Sequence, residues 1–145
     1  MPVIYLLRHG DAEDGNGDDA ARRLTAKGER QARAAGRALA ARGATIDACL
    51  TSPRVRASET ARLACAALGL EPEVTPELVG GSFDSLALAA GREVLLVGHE
   101  PDFSGEVARL TGGRVKMRKG GLAIVDGSTM VALLPPGDLA AIAAE

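Results

Sequence analysis

Four side chains in this sequence have the types and neighbours that phosphate chemistry needs: Arg8, His9, Arg56 and His99. Guanidinium groups stay charged at every working pH and bind phosphate oxygens through two parallel hydrogen bonds. A neutral imidazole is a nucleophile, and it also donates hydrogen bonds near neutral pH. His9 and His99 are the only histidines of the chain, and each lies beside a glycine. Two arginines that converge on two histidines would form a pocket for a dianionic phosphate.

The elements that must position these side chains are strands that end just before them. Apolar runs predict buried strands at residues 3–7 and 93–97, and residues 46–51 are a strand candidate between them that stops at Ser52-Pro53. Arg8 and His9 follow the first strand, Arg56 follows the second after a short turn, and His99 follows the third. Ligands bind beyond the carboxyl ends of the strands in an open parallel sheet, so these residues are expected at one edge. Glycine beside each histidine would let the backbone turn sharply or approach a ligand closely.

The rest of the chain alternates helical and extended patterns. Residues 11–19 are rich in Gly and Asp and are typical of an exposed loop. Helices are predicted at residues 26–42 (capped by Thr25), 57–68, 82–90, 102–110 and 138–144, and further strands at residues 73–75, 122–125 and 130–134, the last two as a hairpin. This order predicts an α/β three-layer sandwich with a mostly parallel central sheet and helices on both faces, formed as one domain over residues 1–145.

Composition excludes several classes of partner. The chain has 145 residues, a formal net charge of -2 and three aromatic residues, so neither a general electrostatic attraction to nucleic acid nor a stacking platform for bases is expected, and any anion-binding site must be local. No apolar run is long enough to span a bilayer, so we expect no membrane partner. The sequence begins without a secretory signal pattern, and its two cysteines, Cys49 and Cys65, are expected to be reduced thiols in the cytoplasm.

A metal site is an alternative reading of the two histidines. Asp11 or Glu100 would supply a carboxylate ligand. However, two arginines at the same place would repel a divalent cation, and the segment from His99 onwards is not the helical zinc motif because proline follows Glu100. Glycine-rich nucleotide loops are also absent from the sequence. We therefore predict that the pocket works without a metal or a cofactor.

Three segments, in order along the chain, resemble the histidine phosphatase superfamily, also called phosphoglycerate mutase-like. LLRHGDAE resembles its Arg-His-Gly signature, TSPRVRASETA its Ser-Pro-x-x-Arg-Ala-x-x-Thr-Ala segment, and VLLVGHEPDFS its second histidine block. The short chain, with RRLTAKGERQA and KMRKGGLAIV, is similar to the SixA-like branch of phosphohistidine phosphatases. The resemblance implies a phosphoglycerate mutase-like fold and a metal-independent hydrolase.

The resemblance also implies a role for each residue. His9 would be the nucleophile and would become transiently phosphorylated before water releases phosphate. Arg8, Arg56 and His99 would hold the phosphoryl oxygens, and the backbone N–H of Glu100 would add a donor near the following helix.

The proton donor is left open between several carboxyl groups. Glu77, in TPELVGG, stands where many relatives carry an acid, but the GGSFDS that follows departs from their pattern. Asp11 and Asp84 are alternatives, and an ordinary loop carboxylate is the other reading of Glu77.

Whether the pocket contains a proton donor affects which substrate it can hydrolyse. An alkoxide leaving group needs strong acid help, whereas the P–N bond of phosphohistidine is labile. A pocket without a dedicated acid therefore favours phosphohistidine in a partner protein. A phosphomonoesterase for a small metabolite, such as a sugar phosphate or nucleotide, is the alternative enzyme, and a non-catalytic phosphate-binding module is the alternative outside enzymes.

Overall fold

The computed structural model describes residues 2–145 and is built around a six-stranded sheet. The strands are β1 (Val3–Arg8), β2 (Ala48–Thr51), β3 (Pro72–Val74), β4 (Val94–Gly98), β5 (Leu122–Asp126) and β6 (Thr129–Leu134). Their order across the sheet is β3-β2-β4-β1-β5-β6. The first four are parallel, while β5 is antiparallel to β1 and β6 to β5. The mostly parallel sheet and the closing hairpin of the sequence prediction are both present.

Helices cover both faces of this sheet. They are α1 (Ala26–Ala41), α2 (Val55–Ala66), α3 (Ser85–Ala89), α4 (Asp102–Thr111) and α5 (Pro136–Ala143), with 3₁₀ turns at Asp19–Ala21 and Pro76–Leu78. Side chains of β1 alternate between two cores, since Tyr5 and Leu7 pack with α1, α2 and α5 while Ile4 and Leu6 pack with α3 and α4. Full burial of a leucine of this kind contributes about 1.5–3 kcal/mol. The layers are those of the predicted sandwich.

The register of the strands brings their carboxyl ends level. Arg8 of β1 lies opposite Gly98 of β4, and Thr51 of β2 lies opposite Val97 of β4. The pairing continues one residue further, because the backbone N–H of His9 donates to Gly98 O at 3.0 Å. The residues that leave β1, β2 and β4 therefore emerge side by side at one edge of the sheet.

Helix boundaries differ from the sequence prediction where tertiary contacts intervene. Thr25 caps α1 as predicted, with its Oγ1 accepting from Gly28 N–H at 3.1 Å. Helix α2 begins two residues earlier than predicted, which places Arg56 in its first turn. Helix α3 covers Ser85–Ala89 and not residues 82–90, and its first N–H donates at 2.8 Å to the buried carboxylate of Glu106 on α4. Among residues 2–145, no helix has the length and apolar content to cross a membrane.

Gly10 serves the packing of α1 against the end of β1. Its φ lies outside the left-handed region, so the sharp turn expected from the sequence is not its role. A Cβ on Gly10 would lie 2.6 Å from the carbonyl oxygen of Gly28, and one on Gly28 would collide with the carbonyl oxygen of Asp11. The two glycines let the backbones of α1 and the segment after His9 come into direct contact.

Candidate active site

The edge of the sheet brings the two histidines and Arg56 into one buried cluster. The rings of His9 and His99 lie 5.4 Å apart between centroids, tilted by 56°. Arg56 Nε lies 3.3 Å from His9 Nε2. His9, His99 and Arg56 are 5%, 6% and 7% exposed. Arg8 is half-buried beside them, and its Nη1 donates to the carbonyl of Met117 at 2.9 Å.

Hydrogen bonds determine which ring nitrogen of His9 carries the proton. Nδ1 lies 2.7 Å from the carbonyl oxygen of Gly10, which is only an acceptor, so Nδ1 carries the hydrogen. Nε2 faces the Nε–H of Arg56, which is only a donor, so Nε2 presents its lone pair. Both contacts are satisfied by the same neutral tautomer.

The surroundings keep this ring neutral. Burial, together with the positive charges of Arg56 and Arg8, lowers the pKa of His9 from 6.5 to about 4, against the hydrogen bond to Gly10. Burial also lowers the pKa of His99, to about 3, with further contributions from His9 and Arg56. At neutral pH the pocket therefore combines charged guanidinium groups with uncharged imidazoles, and His9 Nε2 keeps an unprotonated lone pair that accepts only the long contact from Arg56 Nε–H in this structure.

Ser52 sets the tautomer of His99. The Oγ of Ser52 accepts from the backbone N–H of Arg54 at 3.2 Å and lies 2.7 Å from His99 Nε2. Among residues 2–145 the Ser52 hydroxyl has no other acceptor for its hydrogen, so we assign that hydrogen to His99 Nε2 and the hydrogen of the neutral ring to Nδ1. That Nδ1 is buried without a hydrogen-bond partner among residues 2–145, as is the Nε of Arg8. Buried donors of this kind need an acceptor, and the oxygens of an anion would provide it.

Substituting Ser52 with alanine is expected to change the populations of the two neutral tautomers of His99. Without the hydroxyl donor, nothing directs the ring hydrogen to Nδ1, so the Nε2–H form will gain population. Ring ¹⁵N chemical shifts at neutral pH measure this directly. Ser58→Ala is the matched control, because the Ser58 hydroxyl donates only to the carbonyl of Val55. An unchanged His99 tautomer in Ser52→Ala would contradict the assignment.

The lowered histidine pKa values also make stability depend on pH. In the unfolded chain both rings bind protons near pH 6.5, whereas in the folded protein they do so near pH 4 and pH 3. The unfolded state therefore binds more protons across this interval, and the free energy of unfolding falls as the pH is lowered from about 6.5 towards 4. Urea denaturation at pH 7 and pH 5 measures the change.

Carboxylates whose pKa is lowered act in the same direction, so a control must isolate the two rings. The double variant His9→Gln/His99→Gln removes both histidines and is expected to lose less stability between pH 7 and pH 5 than the parent chain. An equal loss in both proteins would assign the effect to other groups.

Arg56 is held by the loop between β1 and α1. Its Nη1 donates to the carbonyl of Asp19 at 2.8 Å, and its Nη2 lies 3.3 Å from the Asp19 carboxylate. Arg54 also donates to that carboxylate, and its Nε donates to the carbonyl of Val79 at 2.9 Å. Arg54 is thus tied to two loops. Asp19 was absent from the predicted site.

Among residues 2–145, none of the candidate acids forms a hydrogen bond or an ion pair with His9, His99 or Arg56. Glu77 is exposed in the Pro76–Leu78 turn, and no hydrogen bond or ion pair of residues 2–145 joins its carboxylate to the two histidines or to Arg8 or Arg56. Asp84 caps α3 through the N–H of Ala87. The hydrogen bond from Thr25, at 2.8 Å, and the nearby charge of Lys119 hold the pKa of Asp11 below its usual value.

Glu100 directly follows His99 and begins the approach to α4. Its Oε1 accepts from the backbone N–H of Ser104 at 2.7 Å, inside the first turn of that helix. The carboxylate thereby caps the first turn of that helix.

The sequence pattern that defines the histidine phosphatase superfamily (branch 1) matches residues 4–94, which include His9 and Arg56. This chain belongs to the histidine phosphatase superfamily. Its sequence is 35% identical over 135 residues to an uncharacterized protein of Picosynechococcus, with 82% of this chain and 81% of that protein covered.

Among solved structures, this histidine phosphatase is similar to SixA. It aligns with the protein histidine phosphatase SixA complexed with tungstate at 28% identity and a TM-score of 0.81, over 94% of this chain and 99% of that one. A protein from Nakamurella, described as a putative phosphohistidine phosphatase SixA, matches at 27% identity and a TM-score of 0.69, over 96% and 89% of the two chains. The superfamily, the SixA-like resemblance and the phosphoglycerate mutase-like fold are confirmed.

Thr60 is a site residue that sequence reasoning missed. It stands one helical turn after Arg56, in the segment that carries the family pattern, so its position was a usable signal. Its Oγ1 donates to the carbonyl of Arg56 at 2.7 Å and accepts from Gly10 N–H at 3.1 Å. Because the carbonyl of Gly10 orients His9, Thr60 links the first turn of α2 to the orientation of that ring.

Proposed function

We propose that this chain is a metal-independent phosphatase that forms a phosphohistidine on His9 and removes phosphate from phosphohistidine in a protein. The observation that carries the proposal is the neutral ring of His9, with its Nε2 lone pair beside the guanidinium of Arg56 and its Nδ1–H bonded to Gly10. A nucleophile that is neutral and already oriented needs no general base.

In the first step His9 Nε2 attacks phosphorus, and the bond from phosphorus to the leaving nitrogen breaks. Arg8, Arg56 and the Nδ1–H of His99 hold the phosphoryl oxygens, and the backbone N–H of Glu100 adds a fourth donor. The unpartnered Arg8 Nε and His99 Nδ1 support this assignment, since buried donors need acceptors. The similar SixA was solved with tungstate, a tetrahedral oxyanion like phosphate. Water then attacks the phosphorus, the bond from phosphorus to His9 Nε2 breaks, and inorganic phosphate is released while the neutral Nδ1–H form of His9 is restored.

The nearby carboxyl groups favour a leaving group that needs no acid. Partial loss of solvent on folding raises the pKa of Asp19, but the interactions of its carboxylate with Arg56, Arg22 and Arg54 outweigh that effect, so the pKa is lowered overall. The pKa of Asp11 is lowered as well, chiefly by Thr25. A carboxylate that is ionised at neutral pH is a poor proton donor. The imidazole of phosphohistidine leaves as a neutral ring once its other nitrogen takes a proton from water.

We propose the cytoplasm as the place of this activity. Cys49 and Cys65 are both free and buried. A reducing compartment keeps thiols in that state.

A substrate panel with a chelator present tests the function. The panel contains a phosphohistidine peptide, a sugar phosphate and a nucleotide. We expect the peptide to have the highest kcat/KM, with no loss on chelation. Asp11→Asn and Glu77→Gln are included as variants, and turnover of the peptide is expected to survive both.

Other results would identify the alternatives. Turnover of alkyl phosphates that is abolished in Glu77→Gln or Asp11→Asn, without better turnover of the peptide, would identify a phosphomonoesterase for small metabolites. Binding of the peptide without release of phosphate would identify a phosphate-binding module. Loss of all activity on chelation would overturn the metal-independent mechanism.

A further inference from the structure

A concentrated positive charge lies beside the pocket and has no part in the chemistry described above. Between Glu106 and Asp126 the sequence contains no carboxylate, and it contains five cationic residues: Arg109, Arg114, Lys116, Arg118 and Lys119. Arg109 is paired with Glu106 and Asp84, so the excess charge belongs to the other four. The chain as a whole has a formal net charge of -2. The charge is therefore local, and a general basic composition does not explain it.

The segment that carries this charge is attached to the catalytic strand. Met117 is 2% exposed and packs into the core on the α3 and α4 side, while Lys116 and Arg118 on either side are exposed. The carbonyl of Met117 accepts from Arg8 Nη1 at 2.9 Å. The N–H of Gly120 donates to the carbonyl of His9 at 2.9 Å. The position of these cations is thus defined relative to Arg8 and His9.

Four exposed cations surround one open cleft, and together they are called the basic rim: Lys27, Lys116, Arg118 and Lys119. The cleft has a volume of about 340 Å³, and Arg8 forms part of its wall. Asp11 is the one carboxylate among the lining residues, and Lys119 Nζ lies 3.7 Å from it. Within residues 2–145, the other three rim residues form no ion pair.

Like charges brought together without partners repel, so the basic rim does not help the fold. It is suited to an anionic ligand that reaches the pocket from this side. Its cations are exposed and come from two separate parts of the chain, the first turn of α1 and residues 116–119. A subsite for one small anion has a few convergent donors in a closed pocket. Exposed charges spread along a rim are typical of protein docking, where they steer encounter.

We infer that the basic rim is a docking surface for acidic side chains that flank the phosphohistidine of a protein substrate. The inference rests on the proposed function and names the chemistry of its partner. Because Arg8 belongs both to the cleft wall and to the phosphate pocket, acidic residues on the rim would place a neighbouring phosphohistidine against His9. Charges at the rim of an interface act mainly on the rate of association. Their effect is therefore expected in kcat/KM, and it is expected to decrease as the salt concentration rises.

Two synthetic peptides of equal length test the docking surface. Each carries one phosphohistidine, flanked by glutamates in one peptide and by glutamines in the other. We expect the native chain to prefer the glutamate peptide in kcat/KM, and the variant Lys116→Gln/Arg118→Gln to lose roughly three- to tenfold of that preference at low salt. The control Arg33→Gln/Arg37→Gln makes the same charge change on the exposed side of α1 and is expected to keep the preference.

Each result separates the docking surface from the proposed function. Equal kcat/KM for both peptides in the native chain, or a preference that persists in Lys116→Gln/Arg118→Gln, would overturn the docking surface and leave the phosphohistidine activity standing. Turnover of neither peptide, with sugar phosphate hydrolysed, would overturn the proposed function and the docking surface together. A rim-dependent preference for fructose 1,6-bisphosphate over fructose 6-phosphate, without any for the glutamate peptide, would assign the cleft to a small metabolite.

Discussion

Replacing His9 with alanine is expected to abolish phosphatase activity and labelling of the protein by substrate phosphate. The lone pair on His9 Nε2 is the nucleophile of the proposed mechanism, and alanine offers none. Loss of the covalent nucleophile of a serine protease lowers kcat on the order of 10⁶-fold, and we expect a loss of that order here. Turnover of a phosphohistidine peptide and retention of ³²P on the quenched protein under alkaline conditions are the two measurements.

The other histidine is the matched control for this experiment. His99→Ala removes a hydrogen-bond donor near the pocket but leaves His9 Nε2 in place, so we expect slow labelling of that variant. Since the chain has two histidines, label in His99→Ala must lie on His9 if it is histidine-bound. Undiminished hydrolysis or equal labelling in His9→Ala would exclude His9 as the nucleophile.

Replacing Arg56 with alanine is expected to lower kcat roughly 10²–10³-fold, the usual cost of one preorganised donor in a transition state. The substitution removes a positive charge next to the phosphoryl oxygens and the Nε–H that faces His9 Nε2. It also removes a charge that lowers the pKa of His9, so that pKa is expected to rise from about 4 towards 6.5. Steady-state kinetics measure the first effect, and NMR titration of His9 measures the second.

Arg54 provides the control for Arg56. Both guanidinium groups contact the carboxylate of Asp19, but only Arg56 reaches His9. Arg54→Ala should therefore cost much less in kcat, while Arg56→Lys, which keeps the charge without the planar donors, should fall between the two. Equal losses in Arg54→Ala and Arg56→Ala would mean that the position of the Asp19 loop, and not the donor of Arg56, controls turnover.

The predictions for Ser52 and for the histidine pKa values both concern the rings of His9 and His99, but they test different properties of them. Ser52 acts on one tautomer through a single hydroxyl, whereas burial acts on both rings at once. Their readouts, ring ¹⁵N shifts and the pH dependence of unfolding, need no substrate. They therefore test the geometry of the pocket even if the proposed substrate is wrong.

Short-range pattern was enough to predict the sheet and the meeting of the histidines. Residues 3–7 and 94–97 are apolar or aromatic throughout, which indicates strands covered on both faces, and parallel strands end at a common edge. From that rule alone His9 and His99 are expected to be neighbours, and their rings lie 5.4 Å apart. The identity of the acid could not be predicted, because the environment of Glu77 or Asp11 depends on loops that follow no periodic pattern.

The order of three motifs in the sequence was sufficient to recognise the family by resemblance. Residue types and strand ends were sufficient to predict the α/β sandwich and the meeting of His9, Arg56 and His99 at one edge of the sheet, since periodicity and local composition are properties of the chain itself. The tautomers were not accessible in this way. They depend on Gly10 and Ser52, whose partners on other elements meet them only in the folded chain. The contact of Asp19 with Arg56 and the contact of Gly10 with Gly28 could not be predicted from the sequence either. Contacts between distant segments depend on how whole elements pack.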